Sequence, residues 1–148
     1  MSQNKLTLQD WITSSGRYPE RANSPELTDD IKKNAQELVD KVNALLQDIG
    51  WTEKVSISSG FRPSGVNANV PGAAKRSAHQ SGKALDIFQV KPTNKLGLLI
   101  REKQKTDKIL ERHGLMMESL EATVGQNSLW VHIDTVQRSH RPSMEFKP

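Results

Sequence analysis

The sequence contains no cysteine, which excludes disulfides and thiolate metal ligands and leaves His, Asp and Glu as the strong ligands for any metal. Aromatic residues are scarce, with three Trp, one Tyr and three Phe among 148 residues, too few to suggest the stacking platforms of a single-strand nucleic-acid binder. No run of 18 apolar residues occurs, and the polar start Met1-Ser2-Gln3-Asn4-Lys5 leads into no apolar segment. The sequence therefore predicts a chain that neither spans a membrane nor is exported by the common signal-peptide route. Blocks of one charge are missing too: 21 Lys and Arg are dispersed among 17 Asp and Glu, for a formal net charge of +4. So mild a positive field serves solubility first and suits an anionic cell wall as well as a nucleic acid; no nucleic-acid partner is expected.

What is present fits one domain over residues 1–148, with length enough to bury a core and no repeats or low-complexity tracts to divide it. Residues 6 to 13 predict a short helix capped by Thr7, with Leu8, Trp11 and Ile12 on one side and Trp11 as a core anchor. From Thr28 to Ile49, Ile31, Ala35, Leu38, Val42, Leu45, Leu46 and Ile49 recur every three or four residues, which predicts a one-faced amphipathic helix ended by Gly50. A further helix is announced at Pro92 to Asn94 and stopped by Gly114, with a charged, solvated middle from Arg101 to Lys108 and His113 in its last turn, outside any metal site. Strands are expected at Val55–Ser58, at Ala84–Phe88, and as a hairpin of Leu115–Glu118 with Leu129–Asp134, whose loop includes the turn residues Gly125-Gln126-Asn127-Ser128. An edge strand is expected near Met144-Glu145-Phe146, and His140 reads as an exposed tail residue. The predicted class is α+β: a small, mainly antiparallel sheet with two long helices on one face and a metal cleft on the other.

The chemistry concentrates in Ser77-Ala78-His79-Gln80-Ser81-Gly82-Lys83-Ala84-Leu85-Asp86. His79 and Asp86 stand seven residues apart across a glycine turn that feeds an apolar strand. A carboxylate in such a strand must protonate, pair with a cation or bind a metal, because an unpaired buried charge is too costly. A second pair lies in Trp130-Val131-His132-Ile133-Asp134, where strand alternation places Trp130, His132 and Asp134 on one face. Two histidines and one carboxylate with an open fourth position make a hydrolytic zinc site, which predicts one Zn2+ on His79, Asp86 and His132. A serine hydrolase is not expected: no nucleophile elbow occurs, and a histidine committed to zinc cannot serve a serine as base.

Ser59-Gly60-Phe61-Arg62-Pro63, then Asn67, then Ser77-x-His79-x-x-Gly82-x-Ala84-x-Asp86, and finally Trp130-Val131-His132 resemble the M15 family of zinc peptidases. These are the D-Ala-D-Ala carboxypeptidases and L-alanyl-D-glutamate endopeptidases of peptidoglycan, whose fold is shared with the hedgehog signalling domain. The resemblance spans roughly residues 55 to 135, and Leu8-Gln9-Asp10-Trp11-Ile12 is similar to the leader of phage-borne members. It implies a peptidoglycan stem peptide as substrate, with Arg62 and Ser77 in the substrate pocket. For Arg62 the alternative is a salt bridge that pins the long connection from residue 60 to 78, and for Ser77 a turn-capping hydroxyl. Many members place an acid three residues before the second zinc histidine, but that position is Leu129 here, and Gln126 and Asn127 cannot accept a proton. Other relatives carry the acid at the end of the preceding strand, which selects Glu118 as general base. Asp134 is the lower-ranked base or a partner that orients a ligand histidine, and Glu121 is a third choice.

Three functions follow in order. The first is a zinc peptidase hydrolysing stem peptides, as a carboxypeptidase or an endopeptidase. It is expected to be a monomer, made in the cytoplasm and acting at the bacterial cell wall in the manner of a phage endolysin, a virion-associated lysin or a cellular enzyme exported by another route. The second is a catalytically inactive, zinc-containing module of the same fold that binds the cell wall or a protein. The third is a basic nucleic-acid-binding domain with core histidines, recognisable by a steep salt dependence of DNA binding.

Overall fold

The computed structural model describes residues 5–64, 77–90, 93–124, 128–136, 138 and 142–147. Asn67, most of the connection after residue 64, Pro92, Gly125-Gln126-Asn127 and His140 lie outside them.

The N-terminal helix α1 spans Leu8–Thr13 and begins with a capping box: Asp10 N donates to Thr7 Oγ1 at 3.1 Å, and Thr7 N donates to Asp10 Oδ2 at 3.0 Å. Trp11 within it is fully buried, and its indole donates to the Ala84 carbonyl at 2.9 Å. It thus packs in the core and also fixes where the strand bearing Asp86 begins. A 3-10 turn over Pro19–Asn23 leads to helix α2, Asp29–Asp48, capped by Thr28 and buried along Ala35, Leu38, Val39, Val42, Leu45 and Leu46. Gly50, at φ +72°, reverses the chain after it.

Five strands form one sheet: β1 Ile57–Ser59, β2 Ala84–Gln89, β3 Met116–Glu118, β4 Leu129–Asp134 and β5 Glu145–Phe146, in the order β1-β2-β4-β3-β5. All pairings are antiparallel except that of β3 with β5. The alternation anticipated from the sequence sorts the two faces. Ile57, Leu85, Ile87, Met117, Val131 and Ile133 turn into the core with α2 and with helix α3, Lys95–Asp107, leaving Asp86, His132 and Asp134 on the other face. The architecture is α+β, a mainly antiparallel sheet with two long helices. Among the described residues no helix is long and apolar enough to cross a membrane.

The third expected helix is broken rather than continuous. Lys108 adopts a left-handed conformation, φ 53°, between α3 and a short α4, Ile109–Arg112. Gln104 explains the break: it is buried within the stretch read as solvated, and its Oε1 accepts from Leu110 N at 2.8 Å and Glu111 N at 3.3 Å. A side-chain acceptor thus satisfies amides that a helix start leaves open. His113 closes α4 and contacts Asp48 at the end of α2, Nε2 to Oδ2 2.9 Å. The hairpin of β3 and β4 forms as expected, its connection holding a 3-10 turn over Leu120–Ala122.

Candidate active site

Strand register assembles the site. Ser59 of β1 is the Cα partner of Asp86 on β2, and Asp86 that of His132 on β4. On the far side Met117 pairs with Ile133, so continuing that register by one residue sets Glu118 opposite His132, and Glu118 is paired with Phe146 of β5. Ser59, Asp86, His132, Glu118 and Phe146 therefore make one row across all five strands. His79 joins the row from the turn before β2. Gly82, at φ +82°, sits so close to the Ile31 carbonyl of α2 that any Cβ would collide with it, which ties this turn to the helix.

The candidate donor atoms converge. One donor atom each from His79, Asp86 and His132 lies within 4.8 Å of the others. His132 Nδ1 is 2.8 Å from Asp86 Oδ1, and His79 Nε2 is 3.6 Å from Asp86 Oδ2. The two rings meet edge to face with centroids 5.3 Å apart. Donors about 2 Å from a shared ion lie within roughly 4 Å of one another, and both histidine contacts to Asp86, at 2.8 and 3.6 Å, meet that limit.

The outward-facing nitrogens decide which lone pair each histidine offers. His79 Nδ1 lies 2.9 Å from the Gly60 carbonyl, which can only accept, so the proton sits on Nδ1 and Nε2 is the free donor atom facing Asp86. His132 Nε2 lies 2.9 Å from Asp134 Oδ2, which leaves Nδ1 toward Asp86. Both rings thus have the carbonyl or carboxylate partner typical of metal-ligating histidines, and a set of two nitrogens and one oxygen fits zinc among divalent ions.

The electrostatics agree with this arrangement. Burial lowers the His79 pKa and outweighs the pull of Asp86, so this imidazole is neutral. Burial alone would raise Asp86, but its electrostatic pairing with the two histidines, with His132 Nδ1 2.8 Å from Oδ1, prevails and holds its carboxyl well below the usual range. Burial opposes protonation of His132 as well, yet its hydrogen bonds to Asp134 and Asp86 raise it to about 10. Three groups that place a proton between two carboxylates are a locus at which a divalent cation can replace it.

The remaining candidates fall as follows. Glu118 is half-buried and raised above the glutamate value of 4.5, chiefly by burial and further by Asp86 and Asp134, against the counter-pull of His132 and a hydrogen bond with the Trp130 side chain. Asp134 is fully buried, and both of its oxygens are engaged, with His132, with Val136 N at 3.2 Å and with both ends of Arg138. Arg62 donates from Nε to Ser59 Oγ at 3.0 Å, and its Nη2 reaches Asp86 Oδ2 at a long 3.5 Å. This lines the guanidinium along the row, and Nη1 makes no hydrogen bond among the described residues. Ser77 Oγ accepts from His79 N at 3.2 Å, which shapes the turn that aims His79. Glu121 points away and pairs with Arg101.

Sequence reasoning missed three participants: the Gly60 carbonyl, Arg138 and Phe146. Only the four-residue spacing of Asp134 and Arg138 carried a signal, a weak one outside a helix.

No curated protein and no solved structure gives a significant match. The family model described as Peptidase M15 matches residues 4–134, which takes in Trp11, the His79 turn and the whole row as far as Asp134, and the chain therefore belongs to the M15 peptidase family.

Proposed function

We propose that the protein is a zinc peptidase that hydrolyses stem peptides of peptidoglycan, with one Zn2+ on His79, Asp86 and His132 and Glu118 as general base. The observation that carries this reading is the row Asp86, His132, Glu118, which sets a carboxylate of raised pKa next to a ligand set already aimed by Gly60 and Asp134. A zinc ion there would acidify a water and polarise the scissile carbonyl.

The chain's own residues supply the rest. Glu118 takes the proton of the attacking water and returns it to the leaving amine, and its raised pKa brings it nearer the working range of an acid–base group. Arg62, anchored through Nε on Ser59, offers the rest of its planar fork to a substrate carbonyl or terminal carboxylate. Ser77, at the mouth of the His79 turn, is the second substrate contact. The place of action in this reading is the bacterial cell wall, where a lysin releases or breaches the cell.

The binding-module alternative requires that no base stand by the ligand set, and the placement of Glu118 favours the enzyme. The deciding experiment digests purified peptidoglycan with the protein, with and without a chelator, and identifies new termini by mass spectrometry. New amino or carboxyl termini in the stem peptide that vanish with chelation are expected. A wall that is bound but uncut, with zinc at one equivalent, would establish the module instead.

A further inference from the structure

The chain continues past residue 134, where the family match stops, and folds back against the site. Arg138 reaches Asp134 with both guanidinium ends, Nη1 to Oδ1 at 2.7 Å and Nη2 to Oδ2 at 3.0 Å. The same guanidinium lies over the Phe146 ring, 3.6 Å from its centroid, and Phe146 meets the His132 ring edge to face, 5.6 Å between centroids at 80°. The strand that carries Phe146 is itself fastened. β5 pairs with β3, Glu145 receives Arg101 through Nε at 2.9 Å and Nη2 at 2.8 Å, and the Pro142 carbonyl accepts from Gln104 at 2.9 Å.

This arrangement has a mechanical consequence. A carboxylate held by one partner can rotate about its last bond, whereas one clasped by a planar bidentate fork has its plane fixed. Asp134 Oδ2 is thereby held where His132 Nε2 can donate to it, and Phe146 closes the side of the ring against tilting. Because both ends of the Arg138 fork are spent on Asp134, its role is support and not substrate capture.

We propose that Arg138 and Phe146, outside the family match, are positioning residues of the metal site, a C-terminal brace that locks the His132 ring so that Nδ1 is presented beside Asp86 and His79. The proposal rests on the zinc reading above. Its test measures zinc affinity by chelator competition for the full-length wild type, Arg138→Gln, Arg138→Lys and Phe146→Leu, at a temperature where circular dichroism shows each to be folded. The visible spectrum of each cobalt-substituted protein is recorded alongside. Loss of partners around a metal-bound histidine typically weakens binding by about 10–100-fold. Arg138→Gln should fall in that range with an altered cobalt spectrum, Arg138→Lys should recover part of the loss, and Phe146→Leu should weaken binding less than Arg138→Gln.

Wild-type affinity and spectrum in Arg138→Gln, with only a lower melting temperature, would overturn the brace and leave a structural ion pair. Should Arg138→Gln fail to fold, wild-type affinity in both Arg138→Lys and Phe146→Leu overturns it equally. A wild type that binds no zinc removes the zinc reading and the brace together, whereas wild type and variants that bind zinc equally well remove the brace alone.

Discussion

The carbonyl oxygen of Gly60 lies 2.9 Å from Nδ1 of the buried His79, and this one contact fixes which nitrogen of His79 faces Asp86. Gly60 is held there by the backbone of α1. Phe61 N donates to the Trp11 carbonyl at 2.9 Å, and a Cβ on Gly60 would overlap that same carbonyl. Gly60→Ala must therefore push the loop away from α1 and drag the acceptor off His79. Overpacking of this kind costs about 1–3 kcal/mol, and zinc affinity should fall with it. A thermal melt of the metal-free protein and a zinc titration read the two effects separately, and a variant that binds zinc as tightly as the wild type would show that the carbonyl does not orient His79.

Removing a ligand should remove the metal. Wild type purified without added metal is expected to carry close to one equivalent of zinc by elemental analysis, and His132→Ala and Asp86→Ala to carry little, with activity lost in parallel. Less than about a tenth of an equivalent in the wild type, unrestored by dialysis against zinc, contradicts a zinc site built on these ligands.

Arg62 separates substrate binding from structure. Arg62→Lys keeps the charge and loses the planar fork. The Ser59 contact and the long 3.5 Å approach to Asp86 are weak anchors, so the fold should survive. Zinc content should stay near that of wild type while kcat/KM falls. Unchanged kinetics would leave Arg62 as a residue that only pins the loop.

Glu118 gives a prediction with opposite signs in activity and stability. Glu118→Gln removes the base and should lower hydrolysis by at least ~100-fold, as loss of a general base does, with zinc retained. Burial raises the Glu118 pKa above 4.5. Ionising it in the folded protein therefore costs free energy, and that cost grows as pH rises through the raised pKa. Glutamine carries no such charge, so the melting temperature of Glu118→Gln at neutral pH should be no lower than that of wild type. For activity the sign is reversed, since the base must be ionised: kcat/KM should fall at acid pH as the Glu118 carboxylate takes up its proton. Wild-type activity in Glu118→Gln would require a different base.

Local pattern carried much of the fold. Thr7 and Gly50 mark real helix boundaries because capping is a contest among neighbouring backbone groups, which a few adjacent residues settle. The α2 stripe and the alternation in β2 and β4 are legible for a related reason: periodicity alone states which face is buried. It was enough to put Asp86 on one strand face and His132 with Asp134 on another before any pairing was known. The break at Lys108 was not legible, since it depends on a Gln104 side chain reaching six residues ahead to Leu110 N.

The sequence by itself determined the donor types, the absence of thiolate chemistry, the first two helices and the side of each strand on which the polar residues stand. All of these follow from interactions a few residues long. Tertiary structure alone decided the register that lines up Ser59, Asp86, His132, Glu118 and Phe146, because a slip of one residue in any pair would turn the row to the other face while leaving every local pattern intact. It also decided the tautomers, set by a Gly60 carbonyl 19 residues before His79 and by a buried Asp134 whose orientation depends on Arg138. Contacts of that kind are bought by the whole core at once, and no window of sequence contains both partners and the packing that holds them together.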